Sequence, residues 1–590
     1  MTSSLETLPP ELIRSILTYL SPEDTSALAQ TCHRMNVLTR DDKLWRQHFF
    51  NRYTYPHRIS IQFSRDGYQP GSVRKVLQSP PDGCSWQDYF VQRARKDNHI
   101  RHLLNEIVST RKNRLGNAEL ISSTYSLGAL DVLKQYFPPS VDTSKDQSTS
   151  VPLESRSLSR EYYSLEISGL ISRQSGLSLL HEIQDQTTIP TEGRALINAL
   201  FSIQCFYPRG IYLSLNRLHL IGQHLLNDPT FQTLTVSEKC ERILATMKTE
   251  QFLPAKDGHD YYNVENGFIG SAFSGKPTIP LTLVSIYCAL AEECGLTARP
   301  VGFPGEVMAQ VDHSSSSDDL SDETISLFIS VFEGKIITLA EINDRLVDVT
   351  AVPITLPLAV TPIVELVSRS ARNMINCLVR RSTSPFNPYA LYASVAVLNV
   401  LGGGALPFAF YSIMDVLKEQ FPFDIRFLET LPPSSTASAS DDLSRIRNED
   451  SNPPAIEPKR RSSDSPVTFR IGEIFQHRHY SYWAVICGWD SSCLASSTWQ
   501  LHMGVSNLAR GASQPFYHVL VDDSSRRYVA EENINTVGFT SLTDEEEKRN
   551  IIRNLCAVPD IGKHFERVDI TNAKFIPTPE LRDEYPDDFV

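Results

Sequence analysis

The stretch LPPELIRSILTYLSPEDTSALAQTCHRMNVLTRDDKLWRQHF, Leu8–Phe49, decides how the rest of the chain is read. Leu12, Ile13, Ile16, Leu17 and Leu20 recur at three- and four-residue spacing, which places them on one side of a helix. Ser21, Pro22, Glu23 and Asp24 then supply an N-cap, a proline at the first helical position and early acids for a second helix. Three short helices are expected. So short a segment cannot bury all its large apolar side chains against itself. Part of the face formed by Leu8, Ile13, Ile16, Leu17, Leu20 and Trp45 is therefore expected to meet a partner helix surface. The plainer alternative is a small helical subdomain packed on the rest of the chain.

At Leu8-Pro9, Glu11, the Ile13/Ile16/Leu17 ladder, Leu20, Leu28, Cys32 and Leu44-Trp45 the segment resembles the F-box. That resemblance implies docking to a Skp-type adaptor and, through it, a place in a cullin-RING ubiquitin ligase. The residues it marks for the adaptor are Leu8, Pro9, Ile13, Ile16, Leu17, Leu20, Leu28 and Trp45.

At 590 residues the chain is too long for a single core. Its net charge of -13 gives no general reason to expect nucleic acid. The ten cysteines are scattered singly, without a CxxC pair or a Cys/His cluster at metal spacing, so no disulfide framework, metal or cofactor is expected. MTSSLETLPP lacks the basic and apolar regions of a secretory signal, which points to the cytosol or nucleus. Tyr389–Met414 carries no charge, but Asn399, the glycines at 402–404 and Pro407 split it, and a buried helical hairpin is expected rather than a membrane span.

Residues 1–50 are followed by a helical connector over 51–137 and a flexible joint over 138–160. Residues 161–431 read as an α+β unit: a helix entered at Thr278–Leu283 and stopped at Gly295, then strands at Arg299–Val311, Ile325–Phe332 and Arg345–Val349. The Ser/Asp run at 313–324 reads as an exposed hairpin loop. At DYYN (260–263), Asn266, TIPLTL (278–283), ALAEECGL (289–296) and VGFPG (301–305) this unit resembles the SirB-type transglutaminase-like family.

Active members of that fold are expected to carry a cysteine at the helix N-terminus, a histidine on a following strand and an aspartate beyond, since a thiolate needs a base and a dipole. Here Leu281, Glu306 and Asp348 stand near those positions, and Cys288 and Cys294 lie farther along the helix as core residues. No catalytic residue is expected, and a binding or scaffolding role is favoured. An acid/base pair of Glu306 and Asp348, or a cysteine hydrolase, is the alternative.

Residues 432–465 are rich in Ser, Pro and charge and read as a disordered linker, with Lys459-Arg460-Arg461 as a solvated charge run. From 466 to 590 the alternation in VTFRIGEIF, YSYWAVICGWD, QPFYHVLVD and RRYVAEEN predicts short strands of a small β-barrel, with a turn at Asp522–Ser525. Thr543 with Glu546 offers a capping box for a helix through Leu555, and the tail after Pro559 reads as irregular.

At Gly472, His477-Arg478, Tyr480, Tyr482, Gly488-Trp489-Asp490, Trp499, Gln514–Leu520 and Tyr528–Asn533 the block resembles the YccV/HspQ-like domain, a resemblance that implies binding of hemimethylated DNA. The charge balance opposes it. Arg470, Arg478, Arg510, Arg526 and Arg527 face Glu473, Asp490, Asp522, Asp523, Glu531 and Glu532, whereas a duplex binder needs a cationic surplus. Protein is favoured over DNA as the ligand, with His477, Arg478, Tyr480, Trp489, Phe516, Tyr517 and Arg526 as candidates for either.

The three parts in this order resemble F-box-only proteins that carry both later domains. The expected protein is a multidomain α+β chain and a non-catalytic substrate receptor of a ubiquitin ligase. Its alternatives are a DNA-binding protein and a transglutaminase-like hydrolase.

Overall fold

The computed structural model describes residues 8–54, 79–80, 83–138, 152–184, 193–256, 258–303, 306–313, 325–350, 361–380, 384–402, 407–431, 437–461 and 467–589. The chain divides into two compact units: Met1–Gln92 with Ser126–Gly128 and Gly169–Leu443, and Arg93–Tyr125 with Ala129–Ser168 and Ser444–Val590.

The first unit begins with four helices where three were expected: α1 Pro10–Leu17, α2 Pro22–Ala29, α3 His33–Thr39 and α4 Asp42–Arg52. The Ser21 hydroxyl accepts from the Asp24 N–H at 3.0 Å, and the Asp41 carboxylate accepts from the Lys43 N–H at 2.9 Å, which starts α4 as a separate helix. Ile13, Leu17, Met35, Leu38 and Leu44 form the core of this bundle. Farther along α4, Trp45 packs on Phe90 with ring centroids 5.2 Å apart, and Phe49 packs on Trp86 at 5.5 Å. The chain thus covers part of its own N-terminal apolar surface.

In the rest of this unit the helix Pro280–Glu293 is buried along its length from Pro280 to Ala291, so its largely apolar sequence needs no outward polar face, and the hydroxyls of Thr282 and Ser285 donate to backbone carbonyls. Beside it lies an antiparallel sheet in sequential order, β1 Ala298–Gly302, β2 Val307–His313, β3 Ile325–Ser330 and β4 Lys335–Ile337. The single strand expected over Arg299–Val311 is two antiparallel paired strands, β1 and β2, while Arg345–Val349 lies in a helix, Leu339–Thr350. A reciprocal cap starts that helix: the Thr338 N–H donates to Glu341 at 2.9 Å and the Glu341 N–H donates to the Thr338 hydroxyl at 3.2 Å. The loop expected at 313–324 falls, apart from His313, outside the described residues.

Asn387–Val400 and Pro407–Gln420 are two helices that pack together as the expected hairpin. Among the described residues no helix is long and apolar enough to cross a membrane.

In the second unit five strands, β5 Ile474–His477, β6 Trp483–Asp490, β7 Phe516–Val521, β8 Arg526–Ala530 and β9 Ile534–Asn535, form an antiparallel sheet in the order β8-β7-β6-β5-β9. The ladder ends at β8 and β9, so among the described residues it is a sheet with two edges and not a ring of paired strands. A hairpin of β10 Phe565–Asp569 and β11 Lys574–Pro577 adds Phe565 and Phe575 to a core shared with Leu158, Phe475, Val485, Tyr517 and Val519. The tail beyond Pro559 is therefore structured. The cap of the helix Glu545–Cys556 is Asp544, which accepts from the Glu546 N–H at 2.9 Å, and not Thr543.

The segment read as a disordered linker also departs from expectation. It carries a helix, Ala437–Ser451, and the Asp450 carboxylate accepts from the Leu115 N–H at 2.8 Å. Residues 432–436 and 462–465 lie outside the described residues, as do 139–151 of the expected joint. The remaining part of that joint holds the start of the helix Leu158–Gln184 and an ion pair of Arg156 with Glu161 at 2.6 Å.

Candidate functional site

Helix α1 has two adjoining apolar stripes that serve different ends. Ile13 and Leu17 are fully buried, and Trp45 is 2% exposed with its indole N–H donating to the Thr39 carbonyl at 2.7 Å. These three expected adaptor contacts hold the bundle together instead of facing outward. Leu8, Leu20 and Leu28 are half-buried, while Pro9 and Ile16 are exposed. The open stripe is Leu12 and Ile16 of α1, continued by Tyr19 in the turn after it, at 53%, 40% and 88% exposure, with Val37 of α3 at 56%. Residue spacing places Leu12, Ile13, Ile16, Leu17 and Leu20 on one side and does not single out Tyr19 or Val37; helical spacing alone does not say which side chains the bundle keeps for itself.

The positions marked by the transglutaminase resemblance do not come together as a reactive group. Leu281 is 2% exposed, and Thr282 donates its hydroxyl to the Asn266 carbonyl at 3.3 Å. Burial pushes the Cys288 thiol well up and the Cys294 thiol up to about 11. Glu306 accepts from the Ser330 hydroxyl at 2.7 Å and pairs with Arg345 at 3.3 Å, as a structural carboxylate would. Asp348 falls on a helix and not on the expected strand. A cysteine nucleophile needs a depressed thiol pKa and an adjacent base, and Cys288 has the opposite environment.

The second unit holds a cleft of about 1020 Å³ that runs beside β8. His477, Tyr480, Phe516 and Arg526 of the expected set line it, together with Tyr482, Trp499, Met503, His518, Arg527 and Tyr528. Three expected residues do not. Tyr517 is fully buried and donates its hydroxyl to Glu531 at 2.7 Å, and Trp489 is 3% exposed with its indole N–H directed at Asp588, 3.3 Å away. Arg478 donates to the Ile534 carbonyl at 3.2 Å, outside the cleft.

His477 is the most constrained group in the cleft. Its Nδ1 accepts from the backbone N–H groups of His479 and Tyr480, both at 3.2 Å, which leaves Nε2 to carry the proton of the neutral ring. Burial, with His479 and Arg527 nearby, brings its pKa down to about 4. Tyr480 and Tyr482 flank it at centroid distances of 4.9 and 4.8 Å, and the Arg527 guanidinium lies 4.1 Å from the Tyr482 ring.

At the other side of the cleft Asp490 gathers three partners, Lys459 at 3.0 Å, the Tyr528 hydroxyl at 2.8 Å and His518 at 3.1 Å. Burial opposes its charge, but Lys459, Tyr528 and His518 together outweigh that and hold its carboxyl below the usual range. The run read as solvated is therefore engaged: Lys459 with Asp490, Arg460 with Asp587 at 2.6 Å and Arg461 with Asp588 at 2.7 Å. The arginines weighed for DNA are engaged too, Arg510 with Glu531 at 3.0 Å, Arg526 with Asp560 at 2.8 Å and Arg527 with Asp523 at 2.5 Å.

Three family models match the chain in succession: F-box-like over residues 5–51, Transglutaminase-like superfamily over 221–361 and Hemimethylated DNA-binding protein YccV like over 467–572. The chain thus carries an F-box-like segment, a transglutaminase-like domain and a YccV-like domain, in that order. Among curated proteins it is similar to F-box only protein 21 of Homo sapiens, 27% identical over 357 residues, covering 56% of this chain and 52% of that protein. The proteins of the same name from Mus musculus, at 26% over 357 residues, and Pongo abelii, at 27% over 347 residues, have the same two coverages, 56% and 52%. The chain spans about half the length of the curated relatives it matches. No solved structure matches it.

Proposed function

We propose that this chain is the substrate-recognition subunit of an SCF-type cullin-RING ubiquitin ligase. The observation that carries the reading is the division of labour along α1 and the turn after it: Ile13 and Leu17 are locked into the bundle, while Leu12, Ile16 and Tyr19 remain as an open apolar stripe. Such a stripe on a rigid helical mount suits a partner helix surface, here the Skp-type adaptor. The similarity to F-box only proteins supports the same choice.

In this reading residues 1–50 dock to the ligase, the transglutaminase-like region acts as scaffold and the YccV-like domain holds a protein client in the cytoplasm or nucleus. The chain performs no chemistry itself. It raises the effective concentration of a client lysine near the charged conjugating enzyme, which converts a bimolecular encounter into an intramolecular one. Duplex DNA fits this domain less well, because Arg526 and Arg527 in the cleft and Arg510 outside it already have carboxylate partners that phosphates would have to displace.

The test is co-purification of the full chain with the adaptor. Leu12→Asp with Ile16→Asp is expected to abolish it without altering the thermal unfolding of the chain, since both side chains face solvent. Retained adaptor binding would overturn the proposal.

A further inference from the structure

In the transglutaminase-like region the turn Val264–Gly267 packs against the helix Ile363–Arg380, and a cavity of about 290 Å³ lies between them. Gly267 permits the close approach, since a Cβ there would run into Met374. Asn373, Asn376 and Arg380 follow one another on that helix at three- and four-residue spacing, so they form one stripe, and all three line the cavity.

The polar groups of this cavity are held in place but not satisfied. The Arg380 guanidinium lies 4.3 Å from the Tyr262 ring centroid, and Tyr261 packs edge-on against the same ring at 5.3 Å. The ring positions the cation without offering it an acceptor atom, and among the described residues Arg380 has no carboxylate or carbonyl partner. Asn266 is 3% exposed, and its side-chain NH2 group donates to the carbonyls of Asp260 at 2.6 Å and Tyr261 at 3.2 Å. Those bonds fix the amide. Its side-chain oxygen has no partner among the described residues, is not sealed from access, and belongs to a residue that lines the cavity. Asn263 accepts from the Glu265 N–H at 3.1 Å through its side-chain oxygen, which leaves its NH2 group to donate.

The charge of the cavity has one sign. Among the described residues that line it Arg380 carries the only full charge, and none is a carboxylate. Glu265, the acid of the neighbouring turn, is taken up by Lys276 at 2.9 Å and the Tyr207 hydroxyl at 2.8 Å. Glu306 is paired with Arg345. Ile279, the N-cap of the helix Pro280–Glu293, also lines the cavity, so the positive end of that helix dipole adds to the same sign.

We propose that this cavity binds a carboxylate with an N–H donor beside it, the pair of groups that ends a peptide chain or an N-acyl amino acid. Arg380, with the amides of Asn373 and Asn376, receives the carboxylate, and the Asn266 oxygen accepts from the adjoining N–H. That acceptor separates the ligand from phosphate or sulfate, which bring no N–H. A volume of about 290 Å³ stands at the lower end of ligand sites and admits a terminal residue and little more. The transglutaminase-like region thereby gains a ligand of its own, and the inference does not depend on docking to the adaptor.

The experiment screens the full-length chain against random octapeptides displayed with free C-termini. Affinities of the recovered sequences are then measured beside the same peptides ending in a carboxamide, and beside the matching N-acetyl amino acids. Amidation is expected to weaken binding about ten- to a hundredfold, the loss of a charge-assisted contact. Arg380→Gln is expected to do the same with the unfolding transition unchanged, because Arg380 is exposed. Asn376→Asp sets a carboxylate one turn before Arg380, where the two pair, and is expected to weaken binding more than Asn376→Ala does.

Recovery of no binder, equal affinity for the amidated peptides, or indifference to both Arg380→Gln and Asn376→Asp overturns the proposal. Competition by inorganic phosphate as effective as that by the N-acetyl amino acids overturns it too. Peptide affinity well above that of the N-acetyl amino acid would identify the ligand as a polypeptide terminus, and equal affinity as a free acyl amino acid. Adaptor co-purification is expected to be unchanged in these variants, so failure of the receptor reading and failure of this site are distinguishable.

Discussion

Arg461 and Asp588 stand 2.7 Å apart although 127 residues separate them, and the aspartate side chain has no exposed surface. The same carboxylate accepts from the Ile471 N–H at 2.9 Å. One buried acid near the C-terminus thus anchors the segment before the sheet.

Removing one member of that pair strands the other. Arg461→Ala is expected to destabilise the second unit by about 3 kcal/mol, because an uncompensated buried charge remains. Chemical denaturation followed by tryptophan fluorescence measures it. A change below about 0.5 kcal/mol, the range of ordinary surface substitutions, would show the pair to be ornamental.

In the first unit Arg173 donates to both oxygens of Asp424, at 2.8 and 2.6 Å, with Phe421 stacked at 4.6 Å and the Tyr392 hydroxyl at 3.2 Å. Asp424→Leu alone is expected to cost about 3–5 kcal/mol, and Arg173→Met combined with it to recover most of the loss. A double-mutant cycle on urea unfolding decides the matter. Additive losses would contradict coupling between the two side chains.

Acid is expected to weaken the second unit through two rings. Burial lowers His477 and His564 from 6.5 to about 4, so the unfolded chain binds protons before the folded one does. Their contribution is full above pH 6.5 and fades as pH falls toward about 4. Unfolding midpoints at pH 7.5 and 5.5 should differ. His477→Gln with His564→Gln should flatten that difference, and an unchanged slope would mean other groups set it.

Thiol accessibility tests the reading of the transglutaminase-like helix as a scaffold. Cys288 is buried with its thiol raised, whereas Cys32, Cys84 and Cys493 are half-buried. Maleimide at neutral pH is expected to label the latter three and to reach Cys288 only after denaturant is added. Mass spectrometry reads the sites. Labelling of Cys288 in the native chain would reopen the hydrolase alternative.

Local signals were the legible ones. Pro280 and Gly295 bound a helix because each acts through its own backbone, and the alternation in Phe516–Val521 reads as a strand for the same reason. Distance in sequence hid the rest. Lys459–Arg461 looked solvated because Asp490, Asp587 and Asp588 meet it only after folding. Arg345–Val349 looked like a strand from its β-branched residues, although the cap formed by Thr338 and Glu341 a few residues earlier already favoured a helix. The cleft was half visible: His477 and Phe516 were identified through a resemblance, but Met503, which lines it too, lies outside every motif that carried the resemblance.

The fastening of residues 459–461 to the carboxyl end decides where this protein can be cut. A fragment begun at 466 would strip counter-ions from Asp490, Asp587 and Asp588 at once, and would also lack Leu158, whose carbonyl sits against Gly562. Poor behaviour of such a piece would therefore report a severed clasp, and binding assays belong on the intact polypeptide.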